Sequence, residues 1–393
     1  MQRSWLPPGG ANLFQEIKRK CAEAEGNGKE LIRLSIGQPT GAALLSARIH
    51  AAELIMRDDQ GVHEYQDNGC LPDPEFPVKF GLSHIPTFFP LEKIDALPIP
   101  GIKPMLPLIP FACGIAQRSI VVATTTQPGY PTPADWCGGY LQRLCEHRAL
   151  TLTPQNAFRF DPEELKGVDL LMMNYPGNPT GQVANREWLE AVCRYCAGYN
   201  IRIFNDAAYA ILAHSPEHVT LTEVAINIPG LSWAEAFSAS KAGNFTGWRV
   251  GAILGSPDFI GDIRTVKGNA DSGFNAALAL GALYSFLNDN RSIQRVRLMY
   301  AQRLELLIKA LSSLGMQLAV QPGAGFFSLW QVPGRAFDQE ITSAEQFNYL
   351  MIERTGVVGV HFNPNYIRYA VVADIESLLP KISAAFATAN VSY

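Results

Sequence analysis

Between residues 115 and 255, short apolar runs recur at intervals too long for hairpin turns. They are Ser119–Thr124, Asp169–Asn174, Ile201–Asp206, Ala234–Ser238 and Val250–Gly255. Each is too short for a typical helix and too continuously apolar to face water on one side, which is the pattern of a strand buried on both faces. Several of the intervening stretches have helical spacing, for example Asn185–Tyr199, where Trp188, Leu189, Val192, Cys193 and Cys196 recur on one face. Strands joined by helices predict an α/β architecture, a mostly parallel sheet sandwiched by helices.

The rest of the chain has a different rhythm. Helical patterns cover Phe274–Leu287 and Ile293–Leu314, followed by a strand at Gly325–Val332, a helix around Ser343–Thr355, a strand around Ile367–Val372 and a helix over Ile375–Ala387. Near the start, Ala11–Glu25 is amphipathic, with Leu13, Phe14, Ile17 and Cys21 on one face, and Leu31–Ile36 reads as a short strand. The expected division is a large α/β domain over residues 45–280 and a smaller, discontinuous α+β domain from residues 1–44 and 281–393. Prolines crowd residues 72–110. That density forbids long helices and predicts an irregular surface layer.

With 393 residues, 47% of them hydrophobic, the chain can bury cores of this size. A net charge of −4 without a basic run argues against nucleic acid or an anionic membrane as partner. The first ten residues lack an apolar signal segment, and Met105–Ala116, interrupted by Pro107 and Pro110, is too short to span a bilayer. A soluble cytoplasmic protein is expected. Cys193-Arg-Tyr-Cys196 has no second CxxC to complete a zinc site and reads as a buried helix face; no metal is expected.

Four segments at strand ends carry groups able to hold a ligand. Ser238-Ala-Ser-Lys241-Ala-Gly-Asn-Phe-Thr-Gly-Trp-Arg249 puts a lysine just beyond an apolar strand, and Arg249 eight residues further on. Burial disfavours the charged amine, which makes Lys241 a candidate nucleophile, while Ser238 and Arg249 suit an anionic group. Asn174-Tyr-Pro-Gly-Asn178-Pro-Thr-Gly181 is a rigid turn at the edge where open α/β sheets bind ligands. Asn205-Asp206-Ala-Ala-Tyr209 offers a carboxylate and a phenol, and Gln127-Pro-Gly-Tyr130 offers an aromatic face. Alone, Lys241 also reads as a surface lysine, Asn178 as part of a β–α connector, Asp206 as a helix N-cap and Tyr130 as a turn residue.

Together these segments resemble the class I/II aminotransferases, fold type I enzymes that use pyridoxal 5′-phosphate. The similarity is densest over Tyr130–Arg249. It implies that Lys241 is the Schiff-base lysine and catalytic base, and that Asp206 partners the pyridine nitrogen. Asn178 and Tyr209 would bond the cofactor's phenolic oxygen, with Asn178 also near the substrate, and Tyr130 would stack on the ring. Ser238, Ser240 and Arg249 would lie at the phosphate. It further implies that Arg368 clamps the substrate α-carboxylate with Gly37 beside it, and that Tyr65 reaches the phosphate of a partner subunit in a homodimer.

The chain departs from the family in three places. The phosphate loop corresponds to Pro100-Gly101-Ile102-Lys103-Pro104, where backbone N–H groups of Gly101, Ile102 and Lys103 remain but the hydroxyl is missing. Leu71-Pro-Asp-Pro and Gly359-Val-His361-Phe-Asn replace two other family patterns. The implied reaction moves an amino group between an L-amino acid and a 2-oxo acid by a ping-pong mechanism. Decarboxylases, carbon–sulfur lyases and synthases share the fold, and the presence of Arg368 favours the transaminase. Gln38-Pro-Thr and Phe274-Asn275 resemble the LL-diaminopimelate aminotransferase branch. Ser238-Ala-Ser-Lys241 also fits the S-x-x-K acyl-enzyme pattern, without that class's other two motifs. A cofactor-binding regulator would need a DNA-binding module that this length and charge do not provide. For a side-chain carboxylate on the substrate, only Arg3 and Arg264 present themselves.

Overall fold

The computed structural model describes residues 13–86 and 91–393. Its centre is a seven-stranded sheet. From edge to edge the strands are Asp95–Ile99, Gly251–Gly255, Trp233–Ser238, Arg202–Asp206, Leu170–Met173, Ile120–Gln127 and Cys145–Thr151. Gly251–Gly255 runs antiparallel to both of its neighbours; the other pairings are parallel. The five runs expected from the sequence are all present. Phe204, Ala234, Ala236 and Ile253 are fully buried among them, and a buried phenylalanine removes enough apolar surface from water to contribute about 2–3 kcal/mol.

The sequence reading passed over two strands, both of them sheet edges. Asp95–Ile99 contains Pro98, which an edge strand tolerates because one side needs no ladder donor. Cys145–Thr151 carries Glu146, His147 and Arg148, the polar dressing of an exposed edge. The proline-crowded region is not a surface layer. Phe76 and Phe80 are fully buried on the helix Phe76–Leu82, and Ile102, Met105, Leu106 and Ile109 belong to a core against the sheet. Several of its prolines sit in the first turn of short helices, where the missing N–H costs nothing.

Helix Arg186–Tyr199 starts at Asn185, whose side chain accepts from Trp188 N–H, and it buries Leu189, Val192, Cys193 and Cys196. Burial holds both thiols of the CxxC protonated, with Cys196 pushed up to about 12. They are packing groups.

A second, four-stranded antiparallel sheet has the order Val360–Phe362, Tyr366–Ala370, Phe327–Gln331, Leu318–Val320. Helices Asn290–Ser313, Ala344–Thr355 and Ile375–Ala389 accompany it. The N-terminal segment joins this unit. Helix Leu13–Gly26 packs on Ala344–Thr355, and Ile32–Arg33, all that remains of the expected strand, pairs in parallel with Val357–Val358. Ala11, the expected start of that first helix, lies outside the described residues. Helix Ala276–Asn288 packs along Leu45–Ile55 and runs through residue 280, the expected domain boundary.

Candidate active site

Parallel strands bring their carboxyl ends to one edge, so residues distant in sequence converge there. Asp206 ends its strand, Ser238 ends the next, and Asn174 and Tyr130 follow two others. Ser238 caps the short 3₁₀ turn Ala239–Lys241 by accepting from Ser240 N–H at 3.2 Å, and its hydroxyl lies 2.9 Å from the Ser240 hydroxyl. That turn carries Lys241 from the end of a buried strand into the cavity.

The Lys241 Nζ donates to the Gly37 carbonyl at 2.9 Å. Burial lowers its pKa to about 8; Asp206 opposes that shift, and Arg368 and Arg249 add to it. Burial likewise pushes Asp206 up to about 6, against the Ala208 N–H and the Lys241 charge. Neither group is in an ion pair among the described residues. An amine lowered toward neutrality and an acid raised toward it, without a direct ion pair, are the state expected of reacting groups. Tyr209 is buried, and its phenol is raised by that burial. Its ring lies 6.0 Å from Lys241 Nζ and meets Phe326 and Phe327 edge-on.

Arg368 is 2% exposed on the strand Tyr366–Ala370. Its partners are neutral: Asn178 Oδ1 at 2.8 Å and the Ser35 carbonyl at 2.9 Å, with the Phe327 ring 4.1 Å from the guanidinium carbon. Its Nε is buried without a partner, and burial lowers its pKa to about 10. Gly37 lies close by, since a Cβ placed there would sit 3.8 Å from Arg368 Nη2.

These groups surround one cavity of about 650 Å³. Gly37, Ile102, Lys103, Tyr130, Asn178, Asp206, Tyr209, Ser238, Ser240, Lys241, Arg249 and Arg368 line it. Gly101 contributes from behind. It has φ +80°, and a Cβ there would fall 2.5 Å from Arg249 Nη2, so only glycine lets the loop close on the guanidinium. The loop continues into the 3₁₀ turn Lys103–Met105, not a regular helix start. Tyr65 stands apart, 79% exposed and outside its own chain's cavity. Arg264 is held by Asp95 at 2.8 Å and does not line the cavity, so it is not placed to meet a substrate there; Arg3 lies outside the described residues.

Asn174 also belongs to the site. Its Nδ2 donates to the Asp206 carbonyl at 2.8 Å and its Oδ1 accepts from Asn178 N–H at 2.8 Å. An asparagine opening a Pro-Gly turn was the available signal. Ser35, Ile36 and Gln38 line the cavity too, but only tertiary contact between the N-terminal segment and the large sheet reveals them. The S-x-x-K alternative finds no support, because Ser238 bonds Ser240 while Lys241 bonds Gly37.

Residues 29–377 match the family described as Aminotransferase class I and II. An LL-diaminopimelate aminotransferase from Syntrophobacter fumaroxidans is 28% identical over 94% of each chain. Another from Methanocaldococcus jannaschii is 30% identical over 91% of this chain and 85% of its own. Among solved structures, the aspartate aminotransferase of Rhizobium meliloti superposes with a TM-score of 0.83 at 18% identity, covering 99% of both chains. A double mutant of the Thermus thermophilus aspartate aminotransferase gives 0.80 at 20% identity over 97% of both. Sequence match and fold agree: the chain belongs to the class I and II aminotransferases, transaminases that depend on pyridoxal 5′-phosphate.

Proposed function

We propose that this aminotransferase moves an amino group between an L-amino acid and a 2-oxo acid in two half-reactions, with Lys241 Nζ as the group that carries the proton at the substrate Cα. The observation that supports this reading is a buried amine brought down to about 8, in one cavity with an acid near 6 and with Arg249 and Arg368, neither of them ion-paired among the described residues.

The residues fit pyridoxal phosphate. Arg249, the Ser238 and Ser240 hydroxyls and the backbone of Gly101, Ile102 and Lys103 would hold the phosphate, with Tyr130 against the ring. Asp206 would keep the ring nitrogen protonated. Asn178 has its Oδ1 engaged by Arg368, which leaves Nδ2 to donate alongside Tyr209 to the phenolic oxygen. When bound, the cofactor supplies a cationic ring that accepts the electron pair left at Cα.

Arg368 and the backbone at Gly37 receive the substrate α-carboxylate. The guanidinium already lies in a fork of neutral acceptors, so its orientation is set before substrate arrives. Lys241 lies close enough to the Gly37 carbonyl to bond it, which keeps the amine beside the carboxylate site.

The reading includes a homodimer in which Tyr65 reaches the partner's phosphate. Supporting it, Leu45, Ile49, Tyr284 and Leu287 are exposed on two helices packed side by side, an apolar surface of the kind that subunits cover. It also includes a cytoplasmic location; no helix among the described residues is long and apolar enough to cross a membrane.

A donor screen tests the reaction. Each L-amino acid, and LL-diaminopimelate because relatives carry that name, is added to the holoenzyme. The expected result is a change in cofactor absorbance coupled to formation of a 2-oxo acid. Release of carbon dioxide or a thiol with no such conversion would make it a decarboxylase or a lyase instead.

A further inference from the structure

Beneath the cavity lies a carboxylate with no ion-pair partner among the described residues. Glu235 is fully buried in the strand Trp233–Ser238. Its Oε1 accepts from Asn205 Nδ2 at 2.8 Å and Leu221 N–H at 3.0 Å; its Oε2 accepts from Thr222 N–H at 2.7 Å and the Thr222 hydroxyl at 2.8 Å. Burial raises this carboxyl above its ordinary range, and the four donors pull against that shift. Leu221 N–H and the Thr222 N–H and hydroxyl are all donors, and the Asn205 amide turns its nitrogen to the carboxyl as a fourth. Its Oδ1 is then left to accept from Tyr175 N–H at 2.9 Å, while Nδ2 also donates to the Tyr175 carbonyl at 2.8 Å.

Tyr175 is thus clamped at both backbone groups, and its hydroxyl is tied to the Phe158 carbonyl at 2.6 Å. It sits inside the turn that opens with Asn174 and leads to Asn178. Asn174 bonds the backbone of Asp206 and of Asn178, and Asn178 bonds Arg368. Two hydrogen-bonded stretches, Glu235–Asn205–Tyr175 and Asn174–Asn178–Arg368, are joined by the Asn174–Tyr175 peptide bond and so lead from Glu235 to the groups assigned above to ring and substrate, yet neither Glu235 nor Asn205 lines the cavity.

We propose that Glu235 and Asn205 are positioning residues for amino transfer: by fixing the Tyr175 backbone they set where Asn178, and through it Arg368, stands. The inference rests on the roles given to those two residues, so its test reads the clamp separately from the reaction. Asn205→Asp places an oxygen against Glu235 Oε1 and the Tyr175 carbonyl.

In the cofactor-free protein, Asn205→Asp should speed amide exchange at Tyr175 by about 10-fold or more. It should also weaken cofactor binding by about 10-fold and raise KM for the amino donor more than it lowers kcat. Adding Glu235→Gln, whose amide can donate to the new carboxylate, should recover at least about threefold of the binding loss. Exchange, binding and KM all within about twofold of the parent would overturn the proposal, as would a double variant no better than the single. Faster exchange with unchanged binding and KM would also overturn it, while leaving Lys241 and Asp206 untouched. If Asn205→Asp does not fold, Thr222→Val removes one donor from Oε2 without touching Asn205. It should speed the same amide by about twofold to threefold, and no change there overturns the proposal.

Discussion

The two edges of the large sheet handle charge in opposite ways. At the amino ends of the strands, a cavity of about 510 Å³ is lined by Arg118, Arg202, Asp169, Asp258 and Asp262. There Arg118 pairs with Asp169 at 2.8 Å and Arg202 with Asp262 at 2.6 Å. At the carboxyl ends, Lys241, Arg249, Arg368 and Asp206 share a cavity of similar size without an ion pair among the described residues. Desolvating a charge without a counterion costs several kcal/mol, and a chain bears that cost where an incoming ligand supplies the missing charge. Two polar cavities on one sheet are thus told apart by which has spent its charges on itself.

The widest separation between the edges should come from Lys241→Ala. Turnover should fall by about 10³-fold or more, while the melting temperature of the cofactor-free protein holds or rises because a buried amine without an ion pair has been removed, at the loss of one hydrogen bond to Gly37. Steady-state kinetics beside a thermal melt reads both, and a lower melting temperature would mean that the amine is structural.

A second expectation concerns pH. Only the neutral amine attacks an aldehyde, so capture of pyridoxal phosphate by the cofactor-free protein should accelerate as pH rises through about 8. Because Asp206 raises the lysine pKa, Asp206→Asn should move that midpoint downward. Stopped-flow absorbance across pH measures both midpoints; an unchanged midpoint would mean that the carboxylate does not act on Lys241.

The smallest effect belongs to the opposite edge. Arg202→Gln breaks a partly exposed pair and should lower stability by about 1 kcal/mol with kcat unchanged. A kinetic defect there would erase the contrast between the two edges.

What could be read from the sequence follows the same physics. The five inner strands are legible because burial on both faces leaves continuous apolar runs. Pro98 and the Glu146-His147-Arg148 run hid the two edge strands, since an edge has no second neighbour to exclude them. Arg264 looked available because its partner Asp95 lies in one of those hidden strands. Asp206, Lys241 and Asn178 were readable because each ends a buried strand or follows one within a few residues, and Arg249 because it stands at the mouth of the next one. Ser35, Ile36 and Gln38 reach the cavity only by long-range packing, which no local pattern records; Gly37, between them, was placed there by the family resemblance alone. The Glu235 network was not legible, because a lone acid in an apolar run declares its partners only when neighbouring strands are laid beside it.

The Lys241–Gly37 bond ties loading to the N-terminal strip. While the amine is free, it serves as a latch, holding residue 37 down on the sheet edge by its carbonyl. Once that nitrogen is occupied elsewhere, the carbonyl must find another donor or turn toward water. On the role proposed for Lys241, the solvent protection of the strip should therefore differ between the empty and the loaded enzyme.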